Sequence, residues 1–144
     1  MDRINIYVSY NGDDVTTQTI VTNWASIVHT LTDIMVWEGG SNNDAQKALL
    51  IRSADIIVLI SSGRYSKTLE RETVACSTAG KACYILAAGD RAAPPEPFLP
   101  GVHVFNIWDA NAIKTARDLV GEMPCQPQRV HSVLTSLISL LYLE

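Results

Sequence analysis

The sequence predicts an α/β fold, an open and mostly parallel sheet of five strands with helices on both faces. Segments typical of strands and of helices alternate along the chain, and residues 55–60 end in an unbroken apolar run typical of a central parallel strand. Of the 144 residues, 47% are hydrophobic and 18% are charged. This composition favours one packed core over disorder or two domains, so we expect a single domain spanning residues 1–144.

Each element follows from its own pattern. Apolar and β-branched residues predict five strands, at 4–9, 34–37, 55–60, 82–86 and 102–107. Helical spacing and capping residues predict five helices, at 15–31, 44–52, 68–79, 110–120 and 126–142. The first helix is expected to bury Ile20, Trp24, Ile27, Val28 and Leu31, and Gly80 is expected to end the third. This order of elements is flavodoxin-like.

Charge and motifs exclude several classes of function. A formal charge of −4 argues against binding a nucleic acid or an anionic membrane, and no segment is long and apolar enough to span a bilayer. Cys76, Cys83 and Cys125 show no metal-binding spacing and are expected to be reduced, buried thiols, so no metal site is predicted. Together with an N-terminus unlike a secretion signal, this predicts a cytoplasmic protein. Sequence motifs of dinucleotide dehydrogenases, P-loop NTPases, zinc peptidases and serine hydrolases are absent.

A site is expected beyond the carboxyl ends of the strands, where an open parallel sheet binds its ligands. Two glutamates open the helix that follows the third strand, and they lie about 200° apart around its axis. Glu72 leads at helical spacing into the small residues Ala75, Cys76 and Ala79, which permit close approach to the sheet. We therefore expect Glu72 to point inward, towards Ser61, Ser62 and Tyr65, with Glu70 as the alternative.

Several of these segments resemble Toll/interleukin-1 receptor (TIR) domains. The similarity lies in Ile6-Tyr7-Val8-Ser9-Tyr10 with Asp13-Asp14, and in residues 51–61 with Tyr65, Glu72 and Ala79-Gly80-Lys81 after them. It covers residues 4 to 86. Asn23-Trp24 and Val36-Trp37-Glu38 are most similar to the short bacterial TIR proteins of Thoeris-type antiphage defence.

The resemblance implies an enzyme that consumes NAD by cleaving the N-glycosidic bond to nicotinamide. Glu72 would be the catalytic carboxylate. The nicotinamide ring of NAD carries a positive charge and becomes neutral when it leaves the ribose, so no general acid is needed to protonate it. One carboxylate could then suffice to stabilise the positive charge that develops on the ribose. NAD would be the substrate, no cofactor would be bound permanently, and the product, ADP-ribose or a cyclic form, would signal to a separate effector protein. The expected substrate-binding residues are Ser9, Tyr10, Trp37, Ser61, Arg64 and Tyr65.

Two other functions fit the same fold. The chain could be a non-catalytic TIR module that self-associates, because its glutamate segment is short and its last helix carries an apolar stripe. That stripe, which core packing would also explain, comprises Val130, Leu134, Leu137, Ile138 and Leu141. The chain could also be a nucleoside deoxyribosyltransferase-like enzyme, which likewise directs a carboxylate at a sugar.

Overall fold

The computed structural model describes residues 4–11, 14–31, 34–39, 43–88, 90–95, 98–106 and 135–141. Its strands are β1 (Ile4–Tyr10), β2 (Ile34–Glu38), β3 (Ile56–Ser62), β4 (Cys83–Ala88) and β5 (Val102–Asn106). Its helices are α1 (Val15–Val28), α2 (Asp44–Ser53) and α3 (Lys67–Thr78), and residues 135–141 are also helical. The helix predicted at 110–120, most of the one predicted at 126–142, Asp13 and Cys125 lie outside the described residues.

The five strands form one sheet in the order β2-β1-β3-β4-β5, and every neighbouring pair is parallel. The predicted α/β flavodoxin-like fold is therefore confirmed. Strand order reverses between β1 and β3, which lie side by side at the centre of the sheet. Such a reversal opens a crevice beyond the carboxyl ends of the two strands, since the helices that follow them cover opposite faces.

Alternating side chains of the strands supply two cores, one on each face of the sheet. Ile6, Val8 and Tyr10 of β1 pack with α1 on one face, and residues 137, 138 and 141 pack there too. Tyr7 and Leu59 pack with α2 and α3 on the other face. We refer to these as the α1 face and the α2–α3 face. Their separation decides which residues of a strand can share a site.

The buried side of α1 differs slightly from the predicted one. Trp24 and Val28 are buried as expected, together with Val21 and Ala25, but Ile27 is 70% exposed. The prediction for Ile27 was wrong because a stripe centred on Trp24 and Val28 turns residue 27 towards the outer surface.

The C-terminal apolar stripe belongs to the core where it is described. Leu137, Ile138 and Leu141 are buried on the α1 face, while Val130 and Leu134 lie outside the described residues. Those three side chains pack against the sheet, so they are not an exposed surface for a partner.

Helix α3 has a clear signal at each end. The Ser66 side chain accepts a hydrogen bond from the Leu69 backbone N–H at 3.2 Å, which caps the first turn. At the other end Gly80 adopts a φ of +70°, and the N–H groups of Gly80 and Lys81 bond to the carbonyls of Ser77 and Cys76. Gly80 therefore ends the helix as predicted. With both ends fixed, the inward face of α3 is fixed too.

Two further predictions concern the cysteines and membrane-spanning segments. Cys76 and Cys83 are free and buried, as expected for reduced thiols. In the part of the chain that the structure describes, no helix has the length and apolar character needed to cross a membrane.

Asp14 joins α1 to the loop after β3, and its replacement by alanine is expected to lower the free energy of unfolding by about 1–2 kcal/mol. Its carboxylate caps the helix by accepting from the Thr17 backbone N–H at 3.0 Å, and it also accepts from the hydroxyls of Thr17 and Ser62. Denaturant unfolding at pH 7 measures the loss. Asparagine, which also caps helices well, is the matched control and should cost less.

The pH dependence of that loss follows from the carboxylate. Burial raises the pKa of Asp14, but hydrogen bonds from Ser62 and Thr17 lower it by more, so the folded pKa lies below its ordinary value. A depressed pKa stabilises the fold above the unfolded pKa of about 4, and that contribution disappears as the pH falls through the folded pKa. The difference between wild type and Asp14→Ala should therefore shrink below about pH 4. An unchanged difference would contradict this role.

Candidate functional site

Glu72 and Glu70 lie on different sides of α3. Leu69, Glu72, Thr73 and Cys76 form the buried side, and the Glu72 residue is only 3% exposed. Glu70 lies in the first turn and is exposed. The inward orientation of Glu72, expected from the small residues that follow it, is the one in the structure.

Two other elements hold the Glu72 carboxylate. The Ser9 hydroxyl, near the end of β1, donates to Glu72 Oε1 at 3.0 Å. The Lys47 ammonium, from α2, forms an ion pair with the same oxygen at 3.0 Å. Both side chains of the ion pair are nearly excluded from solvent, at 9% exposed for Lys47 and 2% for Glu72. A strand and two helices therefore converge on a single charged oxygen inside the protein.

Gly39, directly after β2, lets the backbone approach this cluster closely. Its N–H donates to the Val8 carbonyl at 2.9 Å, which extends the pairing of β1 and β2 beyond the last strand residue. A Cβ at this position would lie 2.6 Å from both the Ser9 Oγ and the Tyr7 hydroxyl. A side chain at residue 39 would thus occupy space that these two hydroxyls need.

Tyr7 contributes a neutral hydroxyl next to Ser9. Burial raises the pKa of Tyr7 far above its ordinary value, and the nearby charge of Glu72 raises it further. Tyr7 therefore remains protonated at every physiological pH. Its phenol adds polarity to the site without adding a second negative charge.

Buried polar atoms also mark the point where strand order reverses. The Asn11 amide nitrogen donates to the carbonyls of Ser62 and Arg64, at 2.6 and 3.3 Å. Within the described part of the chain, Asn11 Oδ1 and Ser61 Oγ are buried and have no hydrogen-bond partner. Buried polar groups are nearly always satisfied in proteins. These two atoms therefore indicate a place where a ligand or water would supply hydrogen bonds.

A depression of about 160 Å³ lies between α2 and α3, directly over the ion pair. The depression exists because Ala48 and Ala75 are small, and the cationic residues Lys47 and Arg71 lie beside it. Its lining is Lys47, Ala48, Ile51, Arg71, Glu72 and Ala75. The carboxylate is therefore buried but lies close to the surface on the α2–α3 face.

Glu70 belongs to a different cavity, of about 260 Å³. Its other lining residues are mostly apolar and come from the loop after β3, from α3, from the loop after β4 and from β5. They are Tyr65, Thr73, Val74, Pro94, Pro95, Phe98, Leu99 and Val102. The two glutamates, expected as alternatives for one site, thus open onto two separate spaces.

The predicted substrate-binding residues do not all meet at Glu72. Ser9 contacts it, Ser61 is buried at the end of the neighbouring strand, and Trp37 packs against the core of the same face. Tyr10 packs on the α1 face, where its hydroxyl donates to Glu38 at 3.4 Å. Tyr10 therefore lies on the face of the sheet opposite to Ser9, because consecutive residues of a strand point to opposite faces. Its role in substrate binding stays a prediction.

The loop after β3 also differs from the prediction. The Ser62 hydroxyl bonds to Asp14 rather than pointing towards Glu72. The Tyr65 hydroxyl bonds to Thr73 Oγ1 at 2.6 Å and lines the Glu70 cavity. The Arg64 residue is exposed. The expected convergence of Ser62 and Tyr65 with Glu72 is therefore wrong, and only Ser61 lies on the correct face of that strand.

Lys47 and Gly39 were not identified from the sequence. A signal for Lys47 exists, since it lies four and seven residues before Ile51 and Ala54, both buried on the α2–α3 face. A lysine in an otherwise apolar helical row needs a buried anion.

No group of three or more histidine, cysteine or acidic side chains arranged to hold a metal occurs among the described residues.

Comparison with known proteins gives information about the fold only. No family profile matches the chain, and no curated protein matches it. A solved structure of CapF with the inhibitor 3-isopropenyl-tropolone is similar at 13% identity and a TM-score of 0.51, over 72% of this chain and 31% of the CapF chain. The chain therefore spans less than two thirds of that protein, and at this identity the likeness shows a fold and no function.

Two further solved structures are more weakly similar. A 3-dehydroquinate dehydratase-like protein from Bifidobacterium longum has 12% identity and a TM-score of 0.35 over 98% of both chains. A protein from P. pentosaceus described as an NADPH-quinone reductase has 12% identity and a TM-score of 0.42, over 95% of this chain and 96% of its own. None of the three descriptions names a TIR domain.

Proposed function

We propose that the chain cleaves the N-glycosidic bond between nicotinamide and ribose in NAD, with Glu72 as the essential carboxylate. The observation that carries this proposal is the buried Glu72 carboxylate, held by Ser9 and Lys47 beside the crevice where strand order reverses. The TIR-like segments from residue 4 to residue 86 supply the substrate class, because NAD is what the resemblance implies.

The reaction needs little more than such a carboxylate. As the bond from ribose C1′ to the pyridinium nitrogen breaks, its electron pair moves to that nitrogen and nicotinamide leaves neutral. Positive charge then develops on the ribose, where a preorganised carboxylate stabilises it. Water adds to C1′ and loses a proton to give ADP-ribose, or a nitrogen of the adenine attacks C1′ to give a cyclic product. Neither route needs a bound cofactor.

Other polar groups near the crevice have roles in binding under this proposal. Ser61 Oγ and Asn11 Oδ1 are the buried atoms whose missing partners a ribose or amide group would supply. Trp37, half-buried on the same face as Ser9, offers an aromatic surface. The chain carries a net charge of −4, which does not attract an anionic pyrophosphate. The pyrophosphate would therefore be bound by an individual exposed arginine, such as Arg64 or Arg71.

The proposed setting is the cytoplasm of a bacterial cell, in antiphage defence. Under this proposal the product, linear or cyclic, acts on a separate effector protein, a step that follows from the resemblance to short TIR proteins of Thoeris-type defence. Self-association belongs to the alternative in which the chain is a non-catalytic module.

The test is chromatography of the purified protein after incubation with NAD, with and without a phage lysate as trigger. Release of nicotinamide in a 1:1 ratio to ADP-ribose or its cyclic form is the expected result. A parallel reaction with 2′-deoxynucleosides tests the deoxyribosyltransferase alternative. If free base appears there and no nicotinamide is released from NAD, the alternative replaces the proposal. No reaction in either assay, with or without trigger, contradicts an enzymatic role.

A further inference from the structure

The buried lysine on α2 is not explained by stability alone. Lys47 occupies the row of α2 that packs on the sheet, beside Ile51, where an apolar side chain would be usual. Removing a lysine and a glutamate from water costs several kcal/mol for each ion, and apolar pairs of similar volume are often as stable or more so. A buried Lys47–Glu72 pair therefore adds a charged, oriented carboxylate rather than extra stability.

Lys47 is also a cation in direct contact with that carboxylate. The titratable groups placed near Glu72 include Lys47 from α2, Arg71 from α3, Tyr7 from β1 and Cys83 from β4. Burial raises the pKa of Tyr7, and a hydrogen bond to Cys76 together with burial raises the pKa of Cys83, so neither carries charge at neutral pH. The positive charge of Lys47, 3.0 Å from Oε1, is a direct electrostatic contact that favours ionisation of Glu72.

The two contacts also set the direction of the carboxylate. Ser9 and Lys47 approach the same oxygen, one from the sheet and one from the neighbouring helix. Holding Oε1 from two sides restricts the movement of the carboxylate. A group that stabilises a developing charge works best when it is held in advance.

We propose that Lys47 is a positioning residue, which keeps Glu72 ionised and directs its carboxylate at the ribose without contacting the substrate itself. This inference rests on the function proposed above. It assigns the role to a lysine on α2 that is not among the residues on which the TIR resemblance rests.

The first test is the pH profile of nicotinamide release by Lys47→Met, Lys47→Arg and wild type. Methionine matches the length of the lysine stem but removes the charge, so the acidic limb of kcat/KM should move to higher pH. We expect a loss of at least about tenfold at pH 6 that becomes smaller at pH 8. Lys47→Arg should restore the wild-type profile. A Lys47→Met profile with the wild-type shape, whatever its height, would overturn the proposal.

A second measurement does not need activity. In protein labelled with ¹³C at glutamate side-chain carboxyls, the Glu72 signal is identified by its loss in Glu72→Gln, and it is followed against pH. The proposal requires the Glu72 pKa to be higher in Lys47→Met than in wild type, and Lys47→Gln provides a second uncharged variant should methionine prevent folding. Equal values would overturn it. If the Glu72 pKa is higher in Lys47→Met than in wild type but the wild type releases no nicotinamide from NAD, the electrostatic role is supported and only the proposed reaction is rejected.

Discussion

Replacing Glu72 with leucine is expected to lower the free energy of unfolding by about 3–5 kcal/mol. The substitution removes the acceptor of the Ser9 hydrogen bond and leaves the Lys47 ammonium buried without the carboxylate that neutralises it. An uncompensated buried charge costs far more than a lost surface ion pair, because water cannot solvate it where it lies. Denaturant unfolding monitored by circular dichroism measures the loss.

The double variant Glu72→Leu/Lys47→Met is the matched control. It removes both charges and replaces them with apolar side chains of similar volume, so most of the lost stability should return. We expect a coupling energy of at least about 2 kcal/mol between the two positions. If the effects of the two single substitutions simply add, the ion pair is not the contact that the distance of 3.0 Å implies.

Replacing Gly39 with alanine is expected to destabilise the protein by about 1–3 kcal/mol and to disturb the Glu72 site. The new Cβ would lie 2.6 Å from the Ser9 Oγ and the Tyr7 hydroxyl and 3.0 Å from the Ser9 Cβ. These atoms belong to a central strand that is paired on both sides, so they have little freedom to retreat. Thermal unfolding measures the loss of stability, and the ¹³C signal of the Glu72 carboxyl group should shift.

A background of Tyr7→Phe and Ser9→Ala separates crowding from other causes. Removing both hydroxyls removes the two shortest contacts, so Gly39→Ala should cost less than about half as much there. Gly63→Ala is a useful contrast, since Gly63 has a φ of +78° and no atom within 4 Å of an added Cβ. Its cost should come from backbone strain and should leave the Glu72 signal unchanged. An equal cost of Gly39→Ala in both backgrounds would contradict crowding by the hydroxyls.

The fold could be predicted from the sequence because its elements have strong local patterns. The apolar run of β3 and the helix end at Gly80 each depend on a few neighbouring residues. The inward direction of Glu72 could be predicted for the same reason, since the position of a residue on a helix follows from its spacing. Ile27 shows the limit of this reasoning, because one residue at the edge of a stripe changes sides with a small rotation of the helix.

The site was harder to predict because it depends on contacts between distant segments. Lys47 and Ser9 meet Glu72 across 25 and 63 residues of chain, and no local pattern indicates that pairing. The face on which Tyr10 lies depends on the length of β1, because the predicted strand ended at residue 9 and the observed one includes Tyr10. The same holds for Ser62, since the predicted strand ended at residue 60 and β3 extends to Ser62. The partners of Ser62 and Tyr65, Asp14 and Thr73, are evident only in three dimensions.

The proposal that Glu72 is the working carboxylate is tested most directly by comparing nicotinamide release from NAD by wild type, Glu72→Gln and Glu70→Gln. Both variants make the same chemical change on the same helix, but Glu72 is buried against Ser9 and Lys47 whereas Glu70 is exposed. At a temperature where all three proteins are folded, we expect Glu72→Gln to lose at least about 100-fold in rate and Glu70→Gln to stay within about twofold of wild type. Full activity in Glu72→Gln, or a loss confined to Glu70→Gln, would contradict the account.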